Sequence, residues 1–198
     1  MNPLPLALSI FLTVAGCSGF SSSLSTRIPR EANEEFLYWC EQGGEWPVYV
    51  SKPACDTVSR GTWDHYPITV NASPSLLPET LVAIDSFNQQ VGFTMFRYEI
   101  GNWDPDVGVI VSGMNSYALA EAKQMTIDGR HHGLVRVYNG MESDDREDII
   151  LHELGHIVGL RHDRDNKHSL MFPTSTYRVA VIERQDARAL RAIYLGAE

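Results

Sequence analysis

Residues 152–163 read H-E-L-G-H-I-V-G-L-R-H-D. His152 and His156 stand four residues apart, so on a helix both imidazoles project from one face. Neutral imidazole nitrogens are zinc ligands, and two of them one turn apart on a rigid backbone converge on a point. Gly159 follows three residues later; lacking a Cβ, it can take a positive φ, end the helix and return His162 to the same metal. Three protein ligands leave a fourth position open for water, which marks a catalytic rather than a structural zinc. Glu153 lies about a quarter-turn round the helix from His152 and reaches that water without occupying the metal. Zinc lowers the pKa of such a water to about 7. The carboxylate accepts the proton, and passes it to the leaving amine after attack on a peptide carbonyl. A bare H-E-x-x-H arises by chance in roughly a few per cent of chains this long. Gly159 and His162 lower that by about two orders of magnitude.

The elements that must position these residues are legible from periodicity. Residues 67–71 are β-rich and precede the turn-like Ser73-Pro74. Leu81, Ile84, Phe87 and Val91 recur at helical spacing, with Pro78 near the start and Gly92 as the stop. Residues 93–98 and 107–112 read as strands joined by the loop 101–106, and further strands lie near 117–125 and at 134–138, before Asn139-Gly140. Ser143 or Asp144 caps the next helix, and Asp144, Asp145, Glu147 and Asp148 complement its dipole as a solvated helix start rather than a cation site. This helix runs through Ile149, Ile150 and Leu154 to Gly159 and carries the histidines. A last helix spans about 183–195, with Ala189, Leu190, Ile193 and Tyr194 on one face. Periodicity leaves parallel and antiparallel pairing undecided.

HELGHIVGLRH resembles the extended zinc signature of the metzincin metallopeptidases, and Ser169-Leu170-Met171-Phe172-Pro173 resembles their Met-turn. The resemblance implies that Met171 supports the site beneath the histidines without ligating. Pro173 stands where some metzincins carry a zinc-ligating tyrosine, so that extra ligand is not expected. The resemblance runs from about Pro67 to Gly196. It is matrixin-like in its last stretch, where the Asp186 helix and Ile193-Tyr194 are similar to the matrixin C-terminal helix. Asp163 departs, because matrixins carry Ser there and adamalysin-like enzymes Asp; it reads as a hydrogen-bond acceptor, and the subfamily stays open. The implied fold is α+β, a metzincin-like zincin: a twisted mixed β-sheet and two long helices above a small C-terminal subdomain, from about Leu160, with the Met-turn and final helix. Zinc would lie in the cleft between them. Substrate would pair as an added strand with the sheet edge, for which 117–122 is the candidate, and the pocket wall would come from 172–180, including Tyr177. The expectation is a zinc-dependent endopeptidase acting on a protein or peptide. The alternatives are a non-catalytic, zinc-stabilised surface lipoprotein that binds peptides or proteins, for which Glu153 would be superfluous, and an amidase or peptidase of cell-wall peptides.

The chain has 198 residues, 43% hydrophobic and 21% charged, enough for one well-cored domain. A formal net charge of −9 argues against nucleic acid or an anionic membrane surface as the main partner. Residues 1–16 carry no charged side chain and hold an apolar run from Leu4 to Ala15, the pattern of a signal peptide. Val14-Ala15-Gly16-Cys17 resembles the lipobox of bacterial lipoproteins, although no Lys or Arg precedes the run. The resemblance implies membrane attachment through a lipid on Cys17 and, with no aspartate after it, an exported outer-membrane lipoprotein facing the periplasm or the cell surface. Residues 17–33 would then be a tether, 34–66 an N-terminal extension and 67–198 the catalytic domain. With Cys17 lipidated, Cys40 and Cys55 remain as a pair, and a disulfide between them would stabilise by roughly 3 kcal/mol. The alternative is that Lys52-Pro53-Ala54-Cys55-Asp56, which distantly resembles the matrixin cysteine switch, places the Cys55 thiolate on zinc. Among other polar residues, His131 and His132 read as an exposed Gly-flanked turn, His65 as lacking a partner and His168 as a hydrogen-bonding residue of the Met-turn. Asp104 and Asp106 read as a surface turn, with calcium ligation the alternative.

Overall fold

β-Branched residues at alternate positions build the sheet that carries the site. In the computed structural model the described residues are 26–27, 63–101, 104–113, 118–139, 143–164, 166–173 and 181–195. Five strands, β3 (Ile68–Ala72), β4 (Phe96–Tyr98), β5 (Val107–Ser112), β6 (Ala120–Ile127) and β7 (Arg130–Tyr138), lie in the order β4-β3-β5-β7-β6. All neighbours are parallel except β6, which runs antiparallel to β7 at the edge. The two-residue strands β1 (Thr26–Arg27) and β2 (His65–Tyr66) pair antiparallel. Ile68, Val70, Val107, Val109, Val135 and Val137 are buried, and their even spacing puts them on one face. Helices α1 (Leu77–Val91) and α2 (Ser143–Ile157) contribute Ala83, Ile84, Phe87, Val91, Ile150, Leu151, Leu154 and Ile157 to the same core. Helix α3 (Arg184–Leu195) adds Ala189, Leu190, Ile193 and Tyr194. The mixed sheet with its helices is the expected α+β zincin class.

Three local expectations are corrected. Leu81 is 43% exposed, because the buried face of α1 runs through Thr80, Ala83, Ile84, Phe87 and Val91 instead. The strand expected at 93–98 shortens to β4: the Asn88 side-chain oxygen accepts the amides of Met95 (2.8 Å) and Phe96 (3.0 Å), which ties this segment to the end of α1. His131 and His132 lie within β7, opposite Thr126 and Met125, because the turn is at Asp128 (φ 51°) and Gly129 (φ 78°). Two consecutive positive φ values define the two-residue turn whose twist matches a β-hairpin. His131 is exposed, as expected, and His132 half-buried.

His65 and Asp106 are a further correction, since each was read without the other. Asp106 is buried, and its Oδ2 accepts the Thr69 amide (2.8 Å) and hydroxyl (2.7 Å) and faces His65 Nε2 at 3.1 Å. Asp64 Oδ1 holds the other ring nitrogen at 2.7 Å. Asp104 pairs with Arg130 at 2.6 Å, so both carboxylates of the expected surface turn engage protein partners. The Asp106 hydrogen bond, opposed by burial and aided by Asp64, raises His65 from 6.5 to about 9. Burial pushes Asp106 up, but His65 and Thr69 outweigh it and hold the carboxyl below 3.8. A raised histidine stabilises fully below its unfolded pKa and loses that contribution as pH rises through the folded one; a depressed aspartate loses its own as pH falls below its ordinary value. The melting-temperature advantage of wild type over His65→Gln should therefore be greatest between pH 3.8 and 6.5, and vanish as pH passes 9. A difference independent of pH, measured by thermal melts across that range, would show that the pair is not charged in the folded state.

Candidate metal centre

The site begins with the way α2 ends. The last four carbonyls of a helix have no partner within it. Here the Leu154 carbonyl accepts Val158 N–H (3.2 Å), Gly155 accepts Leu160 N–H (2.9 Å) and His156 accepts Gly159 N–H (3.1 Å). Gly159 has φ +100°. The two bonds from Leu160 and Gly159 are those of a Schellman cap with glycine in its left-handed position. The fourth carbonyl, of Ile157, accepts the buried Trp63 indole Nε1–H at 2.8 Å and the Gln124 carboxamide of β6. The helix is thus ended, satisfied and reversed within a few residues, and the returning chain carries His162 back to it.

His162 Nε2 stands 3.3 Å from His152 Nε2 and 3.2 Å from His156 Nε2. His152 Nδ1 lies 2.6 Å from the Leu170 carbonyl, and His156 Nδ1 2.7 Å from the Leu160 carbonyl. A carbonyl only accepts, so each Nδ1 bears the hydrogen and each Nε2 presents a lone pair. Burial lowers the pKa of His152 and of His162, which favours the neutral, ligating form. Two inward lone pairs meeting a third imidazole suit a shared cation. Nitrogens on one tetrahedral zinc at about 2.05 Å stand about 3.3 Å apart, so the donor type, the tautomers of His152 and His156 and the two distances from His162 fit that ion. Among the described residues this is the one group of three or more His, Cys, Asp or Glu that could hold a metal ion.

Beneath the histidines, the Phe172 amide donates to the Ser169 carbonyl (3.0 Å) and the Met171 amide to Ser169 Oγ (3.1 Å), which closes a tight turn. Met171 is buried. Its sulfur packs where a side chain at position 155 would lie: a Cβ on Gly155 would stand 2.6 Å from Met171 Sδ. The glycine inside the motif lets the thioether lie against the helix in this position. The same turn supplies the Leu170 carbonyl that orients His152, so Met171 and a ligand are placed by one loop. Asn166 braces that loop, donating to Glu183 Oε1 (2.8 Å) and accepting the His168 amide (3.0 Å). Asp163 accepts the Asn166 amide (3.2 Å), the acceptor role expected of it.

Glu153 is buried on α2, beside the first histidine. Burial pushes its carboxyl up to about 7, with the Glu121 charge adding and the Ala122 backbone amide opposing. A carboxyl so held exchanges protons near neutrality. Of the expected site residues, His152, Glu153, His156, Gly159, His162 and Met171 are brought together. Cys17, Cys40, Cys55, Tyr117 and Tyr177 lie outside the described residues. Gly155, Trp63, Gln124 and Asn166 were not anticipated; of these, only Gly155 had a local signal, its place inside the motif.

Fold and site together define a zinc metallopeptidase of the zincin type. The matrixin family model matches residues 87–195, more than half the chain, and the protein belongs to the matrixin family. The match begins inside α1 and ends with the last residue of α3, a shorter span than the expected 67–196. In structure the chain is similar to high choriolytic enzyme 1, a hatching-enzyme zinc protease from Oryzias latipes (medaka fish), at 14% identity and a TM-score of 0.41, covering 68% of this chain and 94% of that one. No curated protein matches the chain by sequence.

Gly159→Ala should cost about 1–3 kcal/mol of stability, because a Cβ is strained at this φ. It should also weaken zinc binding, since His162 is placed by that turn. Urea unfolding and zinc titration of the variant check both; unchanged zinc affinity would mean that His162 reaches the metal by another route.

Proposed function

We propose that this protein is a zinc-dependent endopeptidase in which His152, His156 and His162 hold the metal and Glu153 is the catalytic base. The observation that carries this reading is the convergence of three imidazoles, with His162 Nε2 3.2–3.3 Å from the other two Nε2 atoms, all three ligand atoms within 4.8 Å of one another, and two outer nitrogens committed to backbone carbonyls. When bound, zinc supplies a Lewis acid and a water of lowered pKa. Glu153 takes the proton of the attacking water on its carboxylate and returns it to the departing amine nitrogen. Burial of Glu153 keeps that proton from bulk water, and the Ala122 amide orients the carboxylate.

Among the described residues β6 is an edge of the sheet, and that edge would give an extended peptide its place. Tyr138 N–H donates to the Leu119 carbonyl at 2.9 Å, which sets the hydrogen-bonded pairs of the β6–β7 ladder at Leu119, Glu121, Lys123 and Met125. The backbone groups of Ala120, Ala122, Gln124 and Thr126 therefore point away from β7, and a substrate can pair with those left free. In this reading the protein is exported behind the signal peptide 1–16 and anchored by a lipid on Cys17, with Cys40 and Cys55 joined or Cys55 serving as a latch.

Protein lacking residues 1–17, loaded with zinc, should cleave a denatured protein or a mixed peptide library. Glu153→Ala should lower cleavage by about 10²–10⁴-fold while retaining one zinc per chain. Chelation should abolish cleavage, and zinc should restore it. Zinc-loaded protein that cleaves nothing, even as the Cys55→Ser variant, would favour a zinc-stabilised binding protein instead.

A further inference from the structure

Gln124 lies outside the metal site, yet its side chain meets the metal-binding helix. The edge strand β6 has no buried residue along its length, so few apolar contacts hold it. Two polar links tie it to α2. The Ala122 amide donates to the Glu153 carboxylate, and the Gln124 carboxamide Nε2 donates to the Ile157 carbonyl, with the His156 carbonyl 3.5 Å away. The links are in step: two residues of strand advance about 6.7 Å, and four residues of helix about 6 Å. Ala122 and Gln124 thus engage one face of α2 at the same repeat, and a slip of β6 by one residue breaks both.

We propose that Gln124 is a positioning residue for substrate: its carboxamide clamps β6 in register along α2, so that a peptide added to the strand is delivered to Glu153 in one frame. This rests on the peptidase reading above. The clamp is separable from the fold, because Trp63 Nε1 also donates to the Ile157 carbonyl at 2.8 Å. Removing Gln124 leaves no orphaned helix carbonyl, because Trp63 still donates to Ile157 and Gly159 to His156.

The test compares the full-length chain with Gln124→Ala, Gln124→Glu, which loses the donor, and Gln124→Lys, which keeps one. All should bind one zinc per chain. Without substrate, amide hydrogen exchange at Ala122 should quicken by about 10-fold in the Ala and Glu variants, the equivalent of one hydrogen bond, and stay near wild type in Gln124→Lys. On a nested peptide series, wild type should gain from peptides long enough to pair with β6. The Ala and Glu variants should lose about 10-fold more on the long peptides than on the shortest one, the difference appearing in KM. Unchanged exchange and length dependence would overturn the proposal, as would an equal loss on all peptides accompanied by loss of zinc. If the zinc-loaded chain cleaves nothing even with Cys55→Ser, the peptidase reading fails, while the exchange comparison still confirms or overturns the clamp.

Discussion

The end of α2 is the constraint on which the rest depends. A helix can project His152 and His156 from one face, but the third nitrogen must come from chain that has left the helix. That chain must turn within a few residues, while the helix's last carbonyls find donors in a region with little water. The positive φ of Gly159 solves the turning, and the Schellman bonds from Gly159 and Leu160 satisfy two carbonyls. The Ile157 carbonyl cannot be reached by the local chain, so two distant elements supply it: the indole before β2 and the carboxamide on β6. Closing the helix therefore recruits both the N-terminal side of the domain and the edge of the sheet to the metal site.

The same economy governs the imidazoles. An unrestrained histidine can present either nitrogen. The Leu160 and Leu170 carbonyls remove that freedom for two of the three. One belongs to the helix cap and the other to the turn of Met171, so the backbone that turns the chain around the histidines also sets ligand tautomers. Gly155 completes the arrangement by letting the thioether of Met171 lie against the helix. A bulkier residue there would have to displace that thioether from its place between helix and turn.

How much of this was legible follows from the range of each interaction. Helices α1 and α2, the boundaries of β5, the turn at Gly159 and the metal triad are written in spacings of a few residues. The Asp128-Gly129 hairpin was also locally written, by a dipeptide suited to two positive φ values; reading the glycines at 129 and 133 as flanks of one turn misplaced His131 and His132. The His65–Asp106 pair spans 41 residues, Gln124 to Ile157 spans 33, and Trp63 to Ile157 spans 94. No periodicity reports such contacts, because they exist only once the sheet order is set. Leu81 failed for a different reason: an apolar residue at the rim of a helical stripe fits the period almost as well as its neighbour, and here Thr80 takes the inward place, its hydroxyl satisfied by the Leu76 carbonyl at 2.7 Å.

Glu153 shows how sheet and helix share one chemical task. Taken from water, a carboxylate is driven toward its neutral form, and the Glu121 charge drives it further. The Ala122 amide pulls the other way, favouring the ionised base. That amide is available because β6 is an edge strand: in the sheet interior it would be spent on a neighbour. The antiparallel register decides that Ala122, rather than Glu121, faces outward. In the proposed reading, the terminal strand would present hydrogen-bonding groups both to the carboxyl that takes the proton and to an extended chain lying beside it. An edge that most sheets must protect from pairing is, in that reading, where pairing would bring a peptide bond to the base.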